Sequence, residues 1–336
     1  MYWIGTYSAR GSGFCPIIAR DRTLHLGEPE PAIANASFAV WSPGHRIAYV
    51  VNETEQGRIA AWKRTHGSWA LIGEVSSGGA SPCYLSLSPE GRCLAVANYA
   101  DGALSIVPID SHTGAVCELS DRYRPDARLK DADADLERQD GPHAHCAIFA
   151  DDGQTIYHVD LSLDRVFRHR LEGGRITFSD IAFETPRGFG PRHLLFHPDN
   201  VHAVLLCELA AALFLLRREG GVLTFLDCVS TSPEPCADGN LGGHIAIAGD
   251  GAVLVSNRGH DSIVRFRVVE GRLAMSGWWL TGSSSPRHFV ANGDAALVAH
   301  EQGGMVTRVA LSEPGGAMER IEVPGAAFVL ATSNRP

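Results

Sequence analysis

An all-β fold, a β-propeller of seven four-stranded blades, is predicted by three features of this sequence. Glycine and proline number 36 and 18 in 336 residues, which suits a chain with many turns. Short apolar or alternating runs of strand length are bracketed throughout by polar turn signals. Above all, one unit recurs: Ala36, Cys83, His145, Arg192, Gly243 and Arg287 mark its start, at spacings of 47, 62, 47, 51 and 44 residues. A period of about 40–50 residues with four strands per repeat is that of a propeller blade.

The elements follow in order from each marker, which is expected just before an innermost strand. Turns come next, at WSPGH (41–45), SPEGR (88–92), ADDGQ (150–154), HPDNV (197–201) and AGDGA (248–252). Second strands are predicted at 47–53, 93–99, 155–161, 203–209, 253–259 and 296–302. Third strands are predicted at 58–64, 103–109, 165–171, 212–218, 262–268 and 305–311, with outer strands such as 176–184 and 223–231. The chain ends supply the seventh unit. Residues 2–8, 15–21 and 24–27 look like a blade without its inner strand, and 325–331 looks like that missing strand. Their pairing would close the ring, the usual way to remove exposed sheet edges. A single domain spanning 1–336 is expected.

One stretch resists the pattern. Val204–Leu216 has the leucine and alanine content of a helix. Its register in the repeat predicts two strands with a tight turn near Ala210–Ala212. It is also too short for the roughly 20 residues that cross a bilayer.

Composition narrows the partners. Lys and Arg total 29 against 38 Asp and Glu, a net charge of −9. That sign argues against a general nucleic-acid or anionic-membrane binder. Eight scattered cysteines form no C-x-x-C pair, and the N-terminus has no basic region leading into an apolar run. Free thiols, a cytoplasmic location and a monomer are expected. No G-x-S-x-G, Rossmann fingerprint, P-loop or W-D dipeptide is present, so no nucleotide cofactor is expected. Lys130–Asp140 alternates aspartates but lacks the glycine and bidentate glutamate of a calcium loop, and reads as a solvated segment. His143 and His145 form an H-x-H motif without the further ligands of a zinc site, so no metal is expected. His193, His260 and His288 are assigned to packing or local hydrogen bonds, and Trp278–Trp279 to a half-buried outer strand.

In an antiparallel blade, the start of the inner strand and the end of the second lie on the same rim. Two rings of residues are therefore nominated: the markers, and Glu53, Tyr99, Leu161, Glu208, Arg258 and Glu301. Together they place His145, Arg192, Arg287, Glu208, Arg258, Glu53 and Glu301 around one opening. Such charges are costly unless paired or used on a ligand. A salt-bridge lattice and a ligand site both satisfy that requirement.

The segments GPHAH (141–145), GPRHLLFHP (190–198), LLCEL (205–209), SNRGHDSI (256–263) and SPRHF (285–289) resemble the signature of the seven-bladed lactonase family. That family includes the bacterial propeller-type 6-phosphogluconolactonase and the fungal carboxy-muconate lactonizing enzyme. The resemblance covers nearly the whole chain. It implies a catalytic cluster of His145, Arg192, Glu208 and Arg258, the positions that the two rings also select. His143 would share or take the histidine role. Arg287, Glu53, Tyr99 and Glu301 would join His143 in binding the substrate. Cys207 stands where the family usually has Asn, which bears on how Glu208 is held. The implied activity is metal-independent hydrolysis of a small sugar-acid lactone such as 6-phosphogluconolactone. A muconate-type cycloisomerase and a non-enzymatic scaffold are the alternatives.

Overall fold

Second strands form where a turn ends and an uninterrupted apolar run begins. Ile47–Asn52, Cys93–Asn98, Thr155–Asp160, His202–Cys207, Val253–Arg258 and Ala295–His300 all lie within two residues of the predicted bounds. They are buried nearly end to end, which is why their sequences do not alternate. Outer strands such as Ser68–Ser76 and Arg272–Leu280 are largely exposed and carry polar residues between the buried ones. The computed structural model describes residues 1–20, 23–129, 137–236, 239–312 and 318–332. Most of the predicted solvated segment, 130–136, lies outside the described residues.

Among the described residues, these strands make seven four-stranded antiparallel sheets, the all-β seven-bladed propeller class. Ala326–Ala331 pairs with Tyr2–Thr6, followed by Cys15–Arg20 and Thr23–Leu26. The predicted sharing of one blade between the two chain ends is thus realised. The chain divides into two compact units. The first holds Met1–Ala34 and His193–Thr332; its cores include Ile4, Leu24 and Val329 of the shared blade packed with Val306 of the blade before it, and Val204, Leu213, Val255 and Phe266 in another cluster. The second holds Asn35–Arg192, where Phe38 stacks on Tyr84 at 4.2 Å and Tyr49 Oη donates to the Gly114 carbonyl at 2.9 Å.

Val204–Leu216 is the two-stranded element that its register predicts. His202–Cys207 and Ala212–Glu219 pair across a turn in which the Ala211 N–H donates to the Glu208 carbonyl at 3.2 Å. Ala211 takes a left-handed φ of 45° there. Tertiary burial on both faces overrides helix propensity.

Ala36 precedes its inner strand, Ala39–Ser42, as expected, whereas the other five markers lie inside theirs. Cys83, His145 and Arg287 sit in Pro82–Leu87, Ala144–Phe149 and Pro286–Asn292, each between two paired residues. The cause is a β-bulge. Pro82 pairs with Asn98 and Tyr84 with Ala97; Ala144 pairs with Asp160 and Cys146 with Val159; Pro286 pairs with His300 and His288 with Ala299. One extra residue is accommodated at the rim end of each inner strand, and a bulge turns that side chain out of the ordinary alternation.

Within one blade, the paired strands Thr155–Asp160 and Arg165–Glu172 carry a buried histidine pair. His169 Nδ1 meets Ser179 Oγ at 2.7 Å, and its Nε2 lies 3.4 Å from His158 Nδ1. Burial pushes His169 down to about 3 and His158 well below the usual histidine range. The unfolded chain therefore takes up protons first, so stability falls as pH drops from about 6.5 toward 3. Thermal unfolding between pH 7 and 5 should show this loss, and His169→Gln should flatten the slope. Identical slopes in the two proteins would rule the histidine pair out as its source.

Candidate active site

His145 and Arg192 come together in the second unit. Both are second residues of inner strands, Ala144–Phe149 and Pro191–Phe196, and both are nearly inaccessible, at 4% and 3% exposure. Arg192 Nη1 lies 2.5 Å from His145 Nε2. A guanidinium only donates, so Nε2 must offer an electron pair. The ring is then the neutral tautomer with its proton on Nδ1.

His143 is held in the opposite way. Its Nδ1 faces the Tyr99 carbonyl at 2.9 Å and its Nε2 faces Asp140 Oδ1 at 2.7 Å. Both ring nitrogens are thus engaged by groups that only accept. The Tyr99 ring stacks on His143 at 4.5 Å and meets His145 edge-on at 5.7 Å. Tyr99 starts a short 3-10 turn just after its second strand. Beneath this layer, buried Asp160 accepts the His143 backbone N–H at 3.0 Å, with further N–H bonds from Ser162 and Leu163. Burial nevertheless raises its carboxyl to about 6.

The first unit carries two ion pairs. Glu208, fully buried, lies 3.0 Å from Arg258 Nη2, which also donates to the Gly242 carbonyl at 2.7 Å. Gly242 is required here for close approach. A Cβ on it would lie 2.9 Å from Leu206 Cδ1 and 3.0 Å from the Cys207 carbonyl. Arg287 Nη1 lies 3.1 Å from Glu301 Oε2, with its guanidinium 5.6 Å from the Tyr7 ring centre. A row of rings runs through the same unit: His193 Nδ1 is 3.2 Å from His244 Nδ1, and His244 stacks on His288 at 3.9 Å.

Comparison with known proteins decides the family. A family model described as "Lactonase, 7-bladed beta-propeller" matches residues 1–330. The chain belongs to the seven-bladed β-propeller lactonase family. It is 29% identical over 299 residues to the 6-phosphogluconolactonase of Bacillus subtilis, covering 86% of this chain and 84% of that protein. The periplasmic gluconolactonase of Pseudomonas aeruginosa is similar in structure, with a TM-score of 0.86 and 26% identity over 98% of both chains. A putative 6-phosphogluconolactonase from Bacteroides fragilis gives a TM-score of 0.84 and 25% identity, over 98% of this chain and 96% of that one.

Within this lactonase fold, the nine residues named from sequence fall into distinct groups. His145 contacts Arg192, Glu208 contacts Arg258, Arg287 contacts Glu301, and His143 stacks on Tyr99. Glu53 is placed by its backbone, whose N–H donates to the Asn35 carbonyl at 3.1 Å. Sequence reasoning missed Asp140, Asp160 and His244. His244 was within reach, because it follows marker Gly243 as His193 follows Arg192 and His288 follows Arg287.

The tight packing at Gly242 gives a direct check. Gly242→Ala should cost about 1–3 kcal/mol in urea unfolding, the scale of overpacking. Gly249→Ala, where an added Cβ meets nothing within 4 Å, is the control. Equal stability of the two variants would contradict the close approach.

Proposed function

We propose that this chain is a lactonase hydrolysing a sugar-acid lactone, with a 6-phosphogluconolactone-like compound as its substrate. The observation that carries the reading is the buried guanidinium–imidazole contact of Arg192 with His145. Family membership and the similarity to proteins named 6-phosphogluconolactonase and gluconolactonase support the same reading.

Lactone hydrolysis needs a base for water and a positive partner for the oxyanion. Arg192 redirects its N–H hydrogen bond from His145 Nε2 to the lactone carbonyl oxygen, where negative charge develops. The same movement frees the Nε2 electron pair. His145 then takes a proton from water as its oxygen attacks the carbonyl carbon. The tetrahedral intermediate collapses, the ring C–O bond breaks, and the imidazolium returns the proton to the departing alkoxide. Lactone and water thus give the hydroxy acid, with no net change at the enzyme and no step that calls for a metal. His143, with both nitrogens already engaged by acceptors, is poorly placed to take a proton; it is assigned to substrate binding beside Tyr99. Glu208 holds Arg258, whose permanent charge suits the carboxylate or phosphate of the substrate. Arg287, Glu301 and Glu53 are assigned to substrate binding.

Among the described residues, no helix is long and apolar enough to cross a membrane. All eight cysteines are thiols, which supports placing the chain in the cytoplasm.

A pH-indicator assay over a lactone panel tests the reading, because ring opening releases acid. Hydrolysis should be clear in the parent protein, and His145→Gln should lower kcat by about 10²–10⁴-fold, the usual contribution of a positioned base. His143→Gln should act mainly on KM. Unchanged kcat in His145→Gln would overturn the assignment of the base. Inert lactones together with an ultraviolet change on a muconate would replace hydrolysis by cycloisomerisation.

A further inference from the structure

The turn His197–His202, at the far end of its hairpin from Glu208, holds a second constellation that the proposed chemistry does not use. Asp199 Oδ2 lies 2.9 Å from His197 Nδ1 and 2.6 Å from His202 Nδ1. These three donor atoms lie within 4.8 Å of one another. The turn holds them firmly: Asp199 Oδ1 accepts the Val201 and His202 N–H groups, both at 2.9 Å, and the His197 N–H donates to the His202 carbonyl. Both histidine side chains are mostly buried, at 13% and 16% exposure, with Asp199 at 34%.

His197 is turned so that its Nδ1 faces the carboxylate. His197 Nε2 faces the Gly251 carbonyl at 2.9 Å; a carbonyl only accepts, so Nε2 carries the hydrogen. Its Nδ1 is approached only distantly by the Asp199 backbone N–H, at 3.4 Å, and faces the carboxylate oxygen more closely, at 2.9 Å. A proton on Nδ1 satisfies that contact in the metal-free turn, and a metal ion is the positive charge that all three donor atoms can share. His202 adds a third nitrogen donor from across the turn, and the His197–Gly251 bond is the outer support that orients a ligating imidazole.

We propose that His197 Nδ1, Asp199 Oδ2 and His202 Nδ1 bind a divalent cation of the zinc, nickel or copper class. Two imidazoles and one carboxylate suit those ions. Metal–ligand distances of about 2.0–2.2 Å place tetrahedral ligands roughly 3.3 Å apart, so the carboxylate retreats by about half an ångström on binding. Water completes the coordination. The bound ion ties the 197–202 turn to the Gly251 turn of the following sheet, a structural rather than catalytic role.

The test uses the full chain stripped with a chelator and titrated calorimetrically with Zn²⁺. One ion per chain should bind saturably and raise the thermal midpoint. Asp199→Asn keeps an Oδ1 acceptor for the turn, so its metal-free midpoint should match the parent. It should nevertheless lose affinity by at least the ~10–100-fold that removing an outer-shell partner costs. His202→Ala should remove one imidazole nitrogen from the electron paramagnetic resonance spectrum of the Cu²⁺-loaded protein. Absence of saturable one-to-one binding overturns the proposal. So does Zn²⁺ affinity unchanged in Asp199→Asn, or a Cu²⁺ spectrum unchanged in His202→Ala.

Discussion

A single extra residue at the rim end of the inner strand is the constraint on which the candidate site depends. The bulge recurs at Cys83, His145 and Arg287, within Leu241–Ile247, and again where Ala326–Ala331 meets Tyr2–Thr6. Regular pairing would bind each inner strand to a strict two-sided alternation. The bulge breaks that alternation at one position, where a buried blade exchanges an apolar side chain for a functional one. Blade packing and site chemistry can then change separately, because the next paired residues return to register.

Buried charge is the second constraint, met by pairing each group with a partner of defined donor sense. Glu208 is fully buried yet lies against Arg258, itself anchored on the Gly242 carbonyl. Such a pair contributes little net stability beside a hydrophobic alternative, but removing one member leaves a stranded charge. The two histidines of the H-x-H motif show how neighbours set function. His143 points both nitrogens at acceptors, whereas His145 meets a guanidinium. Residues two apart in sequence thereby meet opposite kinds of partner, the asymmetry on which the proposed division of roles rests.

Much of the fold was legible because propeller strands announce themselves locally. Turn tripeptides and apolar runs give the second strands to within two residues, and even the helix-like Val204–Leu216 yields to the repeat register. The bulges were not legible, since a polar residue at the start of an apolar run reads equally well as the residue just before the strand. At the site, the markers named His145, Arg192 and Arg287, and the strand ends named Glu208, Arg258 and Glu301. The groups that set protonation were hidden. Asp140 and the Tyr99 carbonyl reach His143 from separate loops, and Asp160 acts through backbone N–H groups. His197 and Asp199 fall in the predicted turn 197–201 and His202 just after it, and nothing in that spacing shows that two imidazoles fold back on one carboxylate.

The most direct test of the central claim is the tautomer of His145, read from long-range proton–nitrogen correlations of its ring in nitrogen-15-labelled protein at neutral pH. The expected result is a neutral ring protonated at Nδ1, with an Nε2 shift that moves when Arg192 is replaced by Met. A ring protonated at Nε2, or an Nε2 signal indifferent to Arg192, would contradict it.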